Sequence, residues 1–176
     1  MAATKQIDEA QRKAIFRVHI RGTMQQVFRE VTKTDEIQKA FFFNRLHTPG
    51  LEAGAPMAMR SPNGKYTAVV GKVLEYDPPN RFSHTMRFTA YDDPECTVIY
   101  DLIEKDGGVE FTLTVENMPM GTKTAKNMAS GGTMICNTIK KIAETGKPSF
   151  GYRMLGVVFK LMAPLSPKRC KTEKWV

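Results

Sequence analysis

His84 and Tyr100 are the side chains of this sequence best suited to chemistry. His84 lies within Arg81–Ala90, where apolar residues alternate strictly with polar ones. Such alternation places successive side chains on opposite faces of a β-strand, so the imidazole is expected on the apolar face. A buried imidazole needs a hydrogen-bond partner, and near neutral pH it can act as an acid, a base or a donor.

Each of these two residues also has a purely structural interpretation. Tyr100 shares its predicted strand face with Cys96, Val98 and Leu102. Its phenol can hydrogen-bond the polar end of a ligand, or it can be a core ring with its hydroxyl at the rim. His84 can likewise be a core histidine bonded to a tyrosine or to the backbone. Because the sequence places no Asp or Ser to orient the imidazole, the structural role is favoured over catalysis.

Other reactive residues show no catalytic or metal-binding spacing. His19, His47 and His84 are far apart and form no metal motif. Cys96 and Cys136 are expected to be buried apolar residues rather than nucleophiles. No phosphate-binding glycine loop or nucleophile elbow is present. The sequence therefore predicts no metal and no cofactor, and an enzyme of this kind would have to act by shaping a bound substrate.

Aromatic and Met side chains are numerous enough to line an internal ligand pocket. Such pockets are mostly apolar with a few polar groups, and Met adapts to varied ligand shapes. The predicted ligand-binding residues are Phe41, Phe42, Phe43, Tyr66, Phe82, His84, Met86, Phe88, Val98, Tyr100, Phe111, Met128, Met134 and Ile135. For each of them an ordinary core position is the alternative.

Alternation and helical spacing predict the elements that position these residues. The first strand is Ala14–Ile20, and Thr23 is suited to cap a helix over 24–31. Thr34 is suited to cap a second short helix, Asp35–Ala40. Turn residues then separate the remaining predicted strands, which are Met57–Arg60, Tyr66–Tyr76, Arg81–Ala90, Cys96–Lys105 and Val109–Asn117.

A loop precedes these strands and a long helix follows them. Leu46–Pro56 is rich in Pro and Gly and is predicted to be a loop. Apolar residues from Met134 to Ala143 recur at helical spacing, and Gly146 is suited to end that helix. Helices first and last around an antiparallel meander predict an α+β domain with a curved sheet of about six or seven strands. One helix lying across the concave face can leave a cavity rather than a filled core.

Composition bounds the class of protein. The 176 residues suit one domain with a real hydrophobic core. No apolar run approaches the ~20 residues needed to span a bilayer. The polar segment 1–12 is expected to be flexible, and it lacks the apolar stretch of a signal peptide. Cys96, Cys136 and Cys170 are an odd set without close pairing or metal spacing, which predicts a reduced, cytoplasmic protein.

The positive charge is concentrated at the C-terminal end. From Lys147 onward there are seven basic residues and one acid, or +6, whereas the preceding residues carry only +2 of the total +8. Tyr152–Met162 is apolar with two interspersed cations. This extension is therefore a candidate for weak contact with an anionic membrane surface, for packing on the domain, or for a homodimer. Nucleic-acid binding is not expected, because the nearly neutral body has no basic and aromatic stripe.

With its elements in this order, the chain resembles the START-like, Bet v 1-like (SRPBCC) superfamily. Within that superfamily it is most similar to the group related to the C-terminal domain of the Hsp90 ATPase activator Aha1. The resemblance covers about residues 13–148 and rests on four segments in order. They are Val27–Thr32, Gly71–Phe82 with its Pro78-Pro79-Asn80-Arg81 turn, the hairpin Glu104–Leu113, and the final helix Gly131–Lys147.

Two positions differ from the pattern of these relatives. They often have Trp near the end of the second helix, where this chain has Phe41–Phe43, and Gly-Trp at the final helix, where it has Gly131-Gly132. The missing rings can enlarge a cavity, or other side chains can fill the space.

The resemblance implies a helix-grip fold over 13–148, with a pocket between the long helix and the sheet. Residues 149–176, which lie beyond it, are predicted to form a basic apolar C-terminal extension. Because the fold alone does not choose a function, three hypotheses follow. The first is non-catalytic binding of a small hydrophobic or aromatic ligand. The alternatives are a chaperone-interacting domain of the Hsp90-activator type, and a cyclase-like or isomerase-like enzyme using His84 and Tyr100.

Overall fold

In the computed structural model, residues 1–175 are described and form an eight-stranded antiparallel sheet with three α-helices. In chain order the strands are β1 (Thr4–Asp8), β2 (Lys13–Ile20), β3 (Arg45–His47), β4 (Pro56–Arg60), β5 (Thr67–Asp77), β6 (Arg81–Phe88), β7 (Cys96–Lys105) and β8 (Gly108–Glu116). Their spatial order is β1-β2-β8-β7-β6-β5-β4-β3. Apart from the β2–β8 pair, every pair of neighbours is also consecutive in sequence. The predicted α+β class and meander are therefore confirmed.

The helices begin and end at residues suited to capping. α1 (Met24–Thr32) starts with a capping box between Thr23 and Gln26. α2 (Lys123–Thr145) ends at Gly146, whose φ of 75° lies in the left-handed region that glycine adopts without strain. α3 (Phe150–Met162) follows after a short turn. Within residues 1–175, no helix combines the length and the apolar character that crossing a bilayer requires.

The core lies between the inner face of the sheet and α2. This helix lies across β2, β8 and β1, and Phe16, Phe111 and Ile139 have 0% exposure where they meet. A second, smaller cluster on the other half of the sheet consists of Leu46, Met57 and Met59. Because α2 covers only one half of the sheet, the inner face of β3–β5 depends on loops for its cover.

The chain after α3 returns to the sheet through three 3-10 turns, Ala163–Leu165, Lys168–Cys170 and Thr172–Lys174. The guanidinium of Arg169 pairs with Asp92. Thr172 N donates to Lys65 O at 3.0 Å, and the Trp175 ring lies 5.2 Å from the Arg87 guanidinium carbon. The extension is thus attached to the domain near its end as well as at its start.

The predicted second helix, Asp35–Ala40, is wrong: the segment is a turn that contains an isolated bridge between Gln38 and Asn44. Arg29 holds the carboxylates of Asp35 and Glu36 at 2.8 and 3.3 Å. Six residues are too few to form a helix without tertiary support, so these contacts decide the local conformation.

The sheet has eight strands, two more than the six whose positions the sequence predicted. β1 lies in the N-terminal segment expected to be flexible, and it pairs along β2 from Thr4↔Arg17 to Asp8↔Lys13. β3 has only three residues and overlaps the start of the predicted loop. Short edge strands with mostly polar sequences give a weak alternation signal, which is why the pattern did not identify them.

Candidate ligand site around His84 and Tyr100

Strands β6 and β7 bring His84 and Tyr100 together. In their register Phe82 lies opposite Tyr100 and His84 lies opposite Val98, so the two polar residues are diagonal neighbours on one face. The Tyr100 hydroxyl is 3.4 Å from His84 Nε2. The two residues are only 6% and 4% exposed, which agrees with the inward direction that alternation predicts.

The hydrogen bonds of His84 assign its tautomer. Its Nδ1 lies 2.8 Å from the Thr85 carbonyl oxygen. Because a carbonyl oxygen only accepts, Nδ1 carries the proton, and Nε2 accepts from the Tyr100 hydroxyl. Among the described residues no donor reaches the Tyr100 oxygen, so that oxygen keeps its capacity to accept a hydrogen bond.

Both groups are neutral near pH 7. Burial lowers the pKa of His84 to about 4, and the backbone bond to Thr85 offsets this only in part. Burial also raises the pKa of Tyr100. The pair is therefore suited to exchanging hydrogen bonds with a neutral polar group and poorly matched to proton transfer at neutral pH.

Aromatic rings surround this pair. Tyr100 stacks between Phe82 and Phe111, with ring centroids 5.9 and 6.1 Å away. Phe41 meets the Tyr100 ring edge-on at 6.0 Å. Phe82 and Phe111 are 1% and 0% exposed, so these rings border no space large enough for water. In this structure side chains fill the interior.

One glycine of α2 explains part of that filling. A Cβ on Gly132 would lie only 2.4 Å from the Phe16 ring, whereas one on Gly131 would be in ordinary contact with the Phe42 ring at 3.7 Å. Gly131-Gly132 stands where relatives often have Gly-Trp. The missing Trp ring therefore does not enlarge a cavity here, because other side chains fill the space.

A loop with an unusual backbone covers the open side of the cluster. We call Ala40–Phe43 the cover loop. Phe42 and Phe43 have φ values of 55° and 60°, a left-handed conformation that is uncommon for bulky residues. The Tyr152 hydroxyl accepts from Phe42 N at 3.1 Å and donates to Ala40 O at 3.0 Å. One tyrosine of α3 therefore hydrogen-bonds the backbone of the loop at two positions, Ala40 and Phe42.

Packing of α3 reinforces this attachment. Tyr152 stacks on the Phe43 ring with centroids 5.4 Å apart, and Phe159 meets Phe42 edge-on at 5.8 Å. Gly156 allows close approach, because a Cβ there would lie 2.4 Å from the Phe43 ring. The cover loop and α3 thus form one packed unit over the cluster.

The structure brings together most, but not all, of the predicted site residues. Buried around Tyr100 in one core cluster are Phe82, Met86, Val98, Phe111 and Met128, with Phe41, Phe88 and Ile135 partly buried against it. Four others lie elsewhere. The Phe43 ring faces α3, and the Phe42 ring lies between α3 and Gly131 of α2. Met134 is 38% exposed, and Tyr66 pairs with Lys171 beside the C-terminal extension.

Sequence reasoning missed Phe16, Gly132 and Tyr152 as parts of this site. Phe16 had a signal, since it alternates with polar residues in β2, and Gly132 interrupts a helical pattern. No sequence pattern identifies Tyr152, because it hydrogen-bonds the backbone of Phe42, which lies 110 positions away.

Other reactive groups stay outside the chemistry of this site. Burial raises the pKa of Cys96 to about 11 and that of Cys136 to about 12, so both thiols are protonated at neutral pH. Within residues 1–175 no group of three or more His, Cys, Asp or Glu side chains is placed to hold a metal ion.

An open surface recess of about 570 Å³ lies between residues 51–53 and Leu74–Tyr76. It adjoins the cluster through Tyr76, whose ring meets Phe82 edge-on at 6.3 Å, and through Leu51, which packs against the same core.

The sequence of this chain matches the model of a known protein family. The sequence model for "Activator of Hsp90 ATPase homolog 1-like protein" matches residues 21–144. No curated protein matches the chain significantly.

Several solved structures share the fold. The Aha1 dimer from Colwellia psychrerythraea is 16% identical, with 77% of this chain and 98% of that chain covered and a TM-score of 0.62. CalU16 from Micromonospora echinospora is 18% identical, with 94% and 96% covered and a TM-score of 0.60. An HSP90 activator from Plasmodium falciparum is 15% identical, with 74% and 92% covered and a TM-score of 0.59. At these identities the likeness shows the fold alone. Because the family match spans most of the sequence, this chain belongs to the Activator of Hsp90 ATPase homolog 1-like family and has its SRPBCC-type fold.

Proposed function

We propose that this protein binds a small apolar or aromatic molecule with one polar group, between α2 and the sheet, without transforming it. The observation that carries the proposal is the buried neutral pair His84–Tyr100, whose Tyr100 oxygen still accepts a hydrogen bond amid aromatic rings. A few polar groups in an apolar surround are typical of small-molecule sites. A ligand donor would complete the hydrogen bonding of the hydroxyl.

Binding requires room, which the cover loop can provide. Two consecutive phenylalanines with positive φ store strain on the order of 1–3 kcal/mol each. Moving the loop would release that strain and withdraw Phe41 from its edge-on contact with Tyr100. The protein then exchanges between a closed state, in which side chains fill the interior, and an open state with the cover loop displaced. A ligand stabilises the open state.

The same chemistry weighs against the cyclase-like or isomerase-like alternative. Since burial lowers the pKa of His84 to about 4, the imidazole is a weak base at neutral pH. No carboxylate among the described residues hydrogen-bonds to His84 or Tyr100. A hydrogen-bonding role needs neither a charged imidazole nor a third residue.

The binding proposal can be tested with the neutral fluorescent probe N-phenyl-1-naphthylamine and the Tyr152→Phe variant. Losing the two bonds to the cover loop should favour the open state and raise probe affinity by roughly tenfold. Tyr76→Phe is the matched control, because it removes a half-exposed hydroxyl without a partner among the described residues. Its affinity should equal that of the wild type.

The outer face of α3 must be excluded as the probe site. The double variant Phe150→Ser/Leu161→Ser removes two highly exposed apolar side chains of α3, so interior binding should be unchanged in it. The proposal fails if Tyr152→Phe binds no better than the wild type, or if the double variant abolishes binding.

A second candidate function is regulation of a chaperone, by contact outside the interior. It is supported by the family match over 21–144 and by the fold shared with an HSP90 activator. An Hsp90 ATPase assay with the purified chain tests it directly. Stimulation of ATP hydrolysis would support this function, and no effect at saturating chain would remove it. The Aha1 dimer that shares the fold makes a homodimer worth measuring in the same preparation.

We further infer a cytoplasmic location, because all three cysteines are free and buried. The functional unit that we propose is the domain over 13–148. The extension over 149–176 contributes Tyr152, whose hydroxyl hydrogen-bonds the backbone of the cover loop.

A further inference from the structure

Helix α3 presents an apolar face to solvent. It contacts the cover loop through Tyr152, Gly156 and Phe159, which recur at helical spacing on one side. The opposite side consists of large apolar residues with the exposures Phe150 75%, Met154 48%, Val157 50% and Leu161 73%. Val158, Met162 and Leu165 extend this patch with exposures of 44%, 54% and 77%. A helix resting on a water-soluble domain normally has polar residues there, and contiguous apolar patches of this kind mark interaction sites.

The charge beside this face has a single sign. Arg153 and Lys160 lie seven positions apart on the same flank of α3, and both are exposed. Neither forms a salt bridge within the part of the chain that the structure describes. The sequence from 145 to 172 contains no Asp or Glu. An occupant of the apolar face therefore meets unpaired positive charge at its edge.

We propose that the outer face of α3 docks on an anionic lipid membrane surface. The 13 residues of α3 span ~20 Å at 1.5 Å each, which is shorter than a bilayer core of ~30 Å. The helix would thus lie in the plane of the interface, with its apolar residues in the acyl boundary and its cations among the headgroups. This pairing of an apolar face with a basic flank is the pattern of interfacial helices.

The same charges disfavour a second copy of this chain as the occupant. A two-fold interface through α3 would bring identical patches together, and so would place Arg153 and Lys160 of both copies around one contact. No acidic residue on α3 is present to compensate. The exposed face is also convex, since it lies directly opposite the side that packs on the cover loop. A fluid surface accommodates a convex helix without needing a complementary groove.

Vesicle flotation of the full chain tests the proposal. The probes are vesicles of phosphatidylcholine alone and vesicles that also contain phosphatidylserine, each at low and at high salt. We expect flotation with the anionic vesicles, weakened by salt, and little with the neutral ones. Phe150→Ser/Leu161→Ser should abolish flotation. Arg153→Gln/Lys160→Gln should reduce the partition constant by about tenfold or more.

Matched controls separate this surface from general stickiness. Leu74→Ser/Ile103→Ser removes exposed apolar residues of the sheet, which are 44% and 61% exposed. Lys126→Gln/Lys141→Gln removes two exposed charges of α2. Both controls should float like the wild type, and thermal unfolding should show all variants folded.

Three results would overturn the proposal. One is absence of flotation with anionic vesicles, and another is flotation that the α3 variants leave unchanged. The third is a light-scattering mass of two chains that becomes one chain in Phe150→Ser/Leu161→Ser, since a second copy would then cover the face. The outcome is independent of ligand binding in the interior, because Phe150 and Leu161 lie on the outer side of α3.

Discussion

The interior around Tyr100 and the outer face of α3 contain similar apolar side chains in opposite surroundings. Phe111 is 0% exposed and stacked on Tyr100, whereas Phe150 is 75% exposed. In the interior the rings fit closely, and the buried Tyr100 hydroxyl, which donates to His84, can still accept one hydrogen bond. On α3 the apolar side chains themselves lack cover, because they are exposed to solvent. From this contrast we expect that a ligand of the proposed interior site would be selected by a hydrogen bond, and the proposed partner of α3 by apolar area and charge.

Truncating one phenylalanine in each region should give the largest difference. Phe111→Ala is expected to lower the free energy of unfolding by about 3–5 kcal/mol, because it leaves a cavity in a packed core. Phe150→Ala should change it by no more than about 0.5 kcal/mol. Urea unfolding of both variants checks this. Similar losses for the two would mean that α3 is covered in solution.

Acid should destabilise the interior through His84. The unfolded histidine takes up its proton near pH 6.5, but the folded one does so only near pH 4. Between these values the unfolded state binds more protons, so stability falls as the pH falls and is unaffected above this window. The wild type should lose on the order of 3 kcal/mol from pH 6.5 to 4 relative to His84→Gln. Parallel pH profiles for the two proteins would contradict the buried neutral imidazole.

Adding one methyl group should lower the free energy of unfolding in the interior and raise it on α3. Gly132→Ala is expected to cost about 1–3 kcal/mol, because its Cβ would meet the Phe16 ring at 2.4 Å. Gly151→Ala has open space and lies in an exposed helix, so it should stabilise by up to about 1 kcal/mol. Thermal unfolding of the pair measures both. A stable Gly132→Ala protein would show that room exists between α2 and the sheet.

The smallest expected effect lies where the two regions meet. Tyr152→Phe should cost about 1–2 kcal/mol, since two backbone partners lose the hydroxyl while the ring stacking remains. Amide exchange should increase at Phe42, whose N–H donates to that hydroxyl. Unchanged exchange at that amide would show that Tyr152 does not hold the loop.

The sequence predicts the strands that build the site better than the contacts that close it. Alternation over Arg81–Phe88 is a local property, and it correctly places Phe82, His84 and Met86 inside. The bond between Tyr152 and Phe42 joins residues 110 positions apart, and no periodicity signals it. The segment Asp35–Ala40 has helical capping residues, but ion pairs with Arg29 and the bridge to Asn44 override them. Long-range packing, rather than propensity, decides such short segments.

Binding of a small molecule in the interior can be measured by native mass spectrometry of the protein isolated from its own cells. We expect a retained small molecule that rebinds the wild type and binds Tyr100→Phe at least several-fold more weakly, because that variant lacks the hydroxyl oxygen. Protein that carries no small molecule and takes up none from an extract of the same cells would contradict the proposed binding.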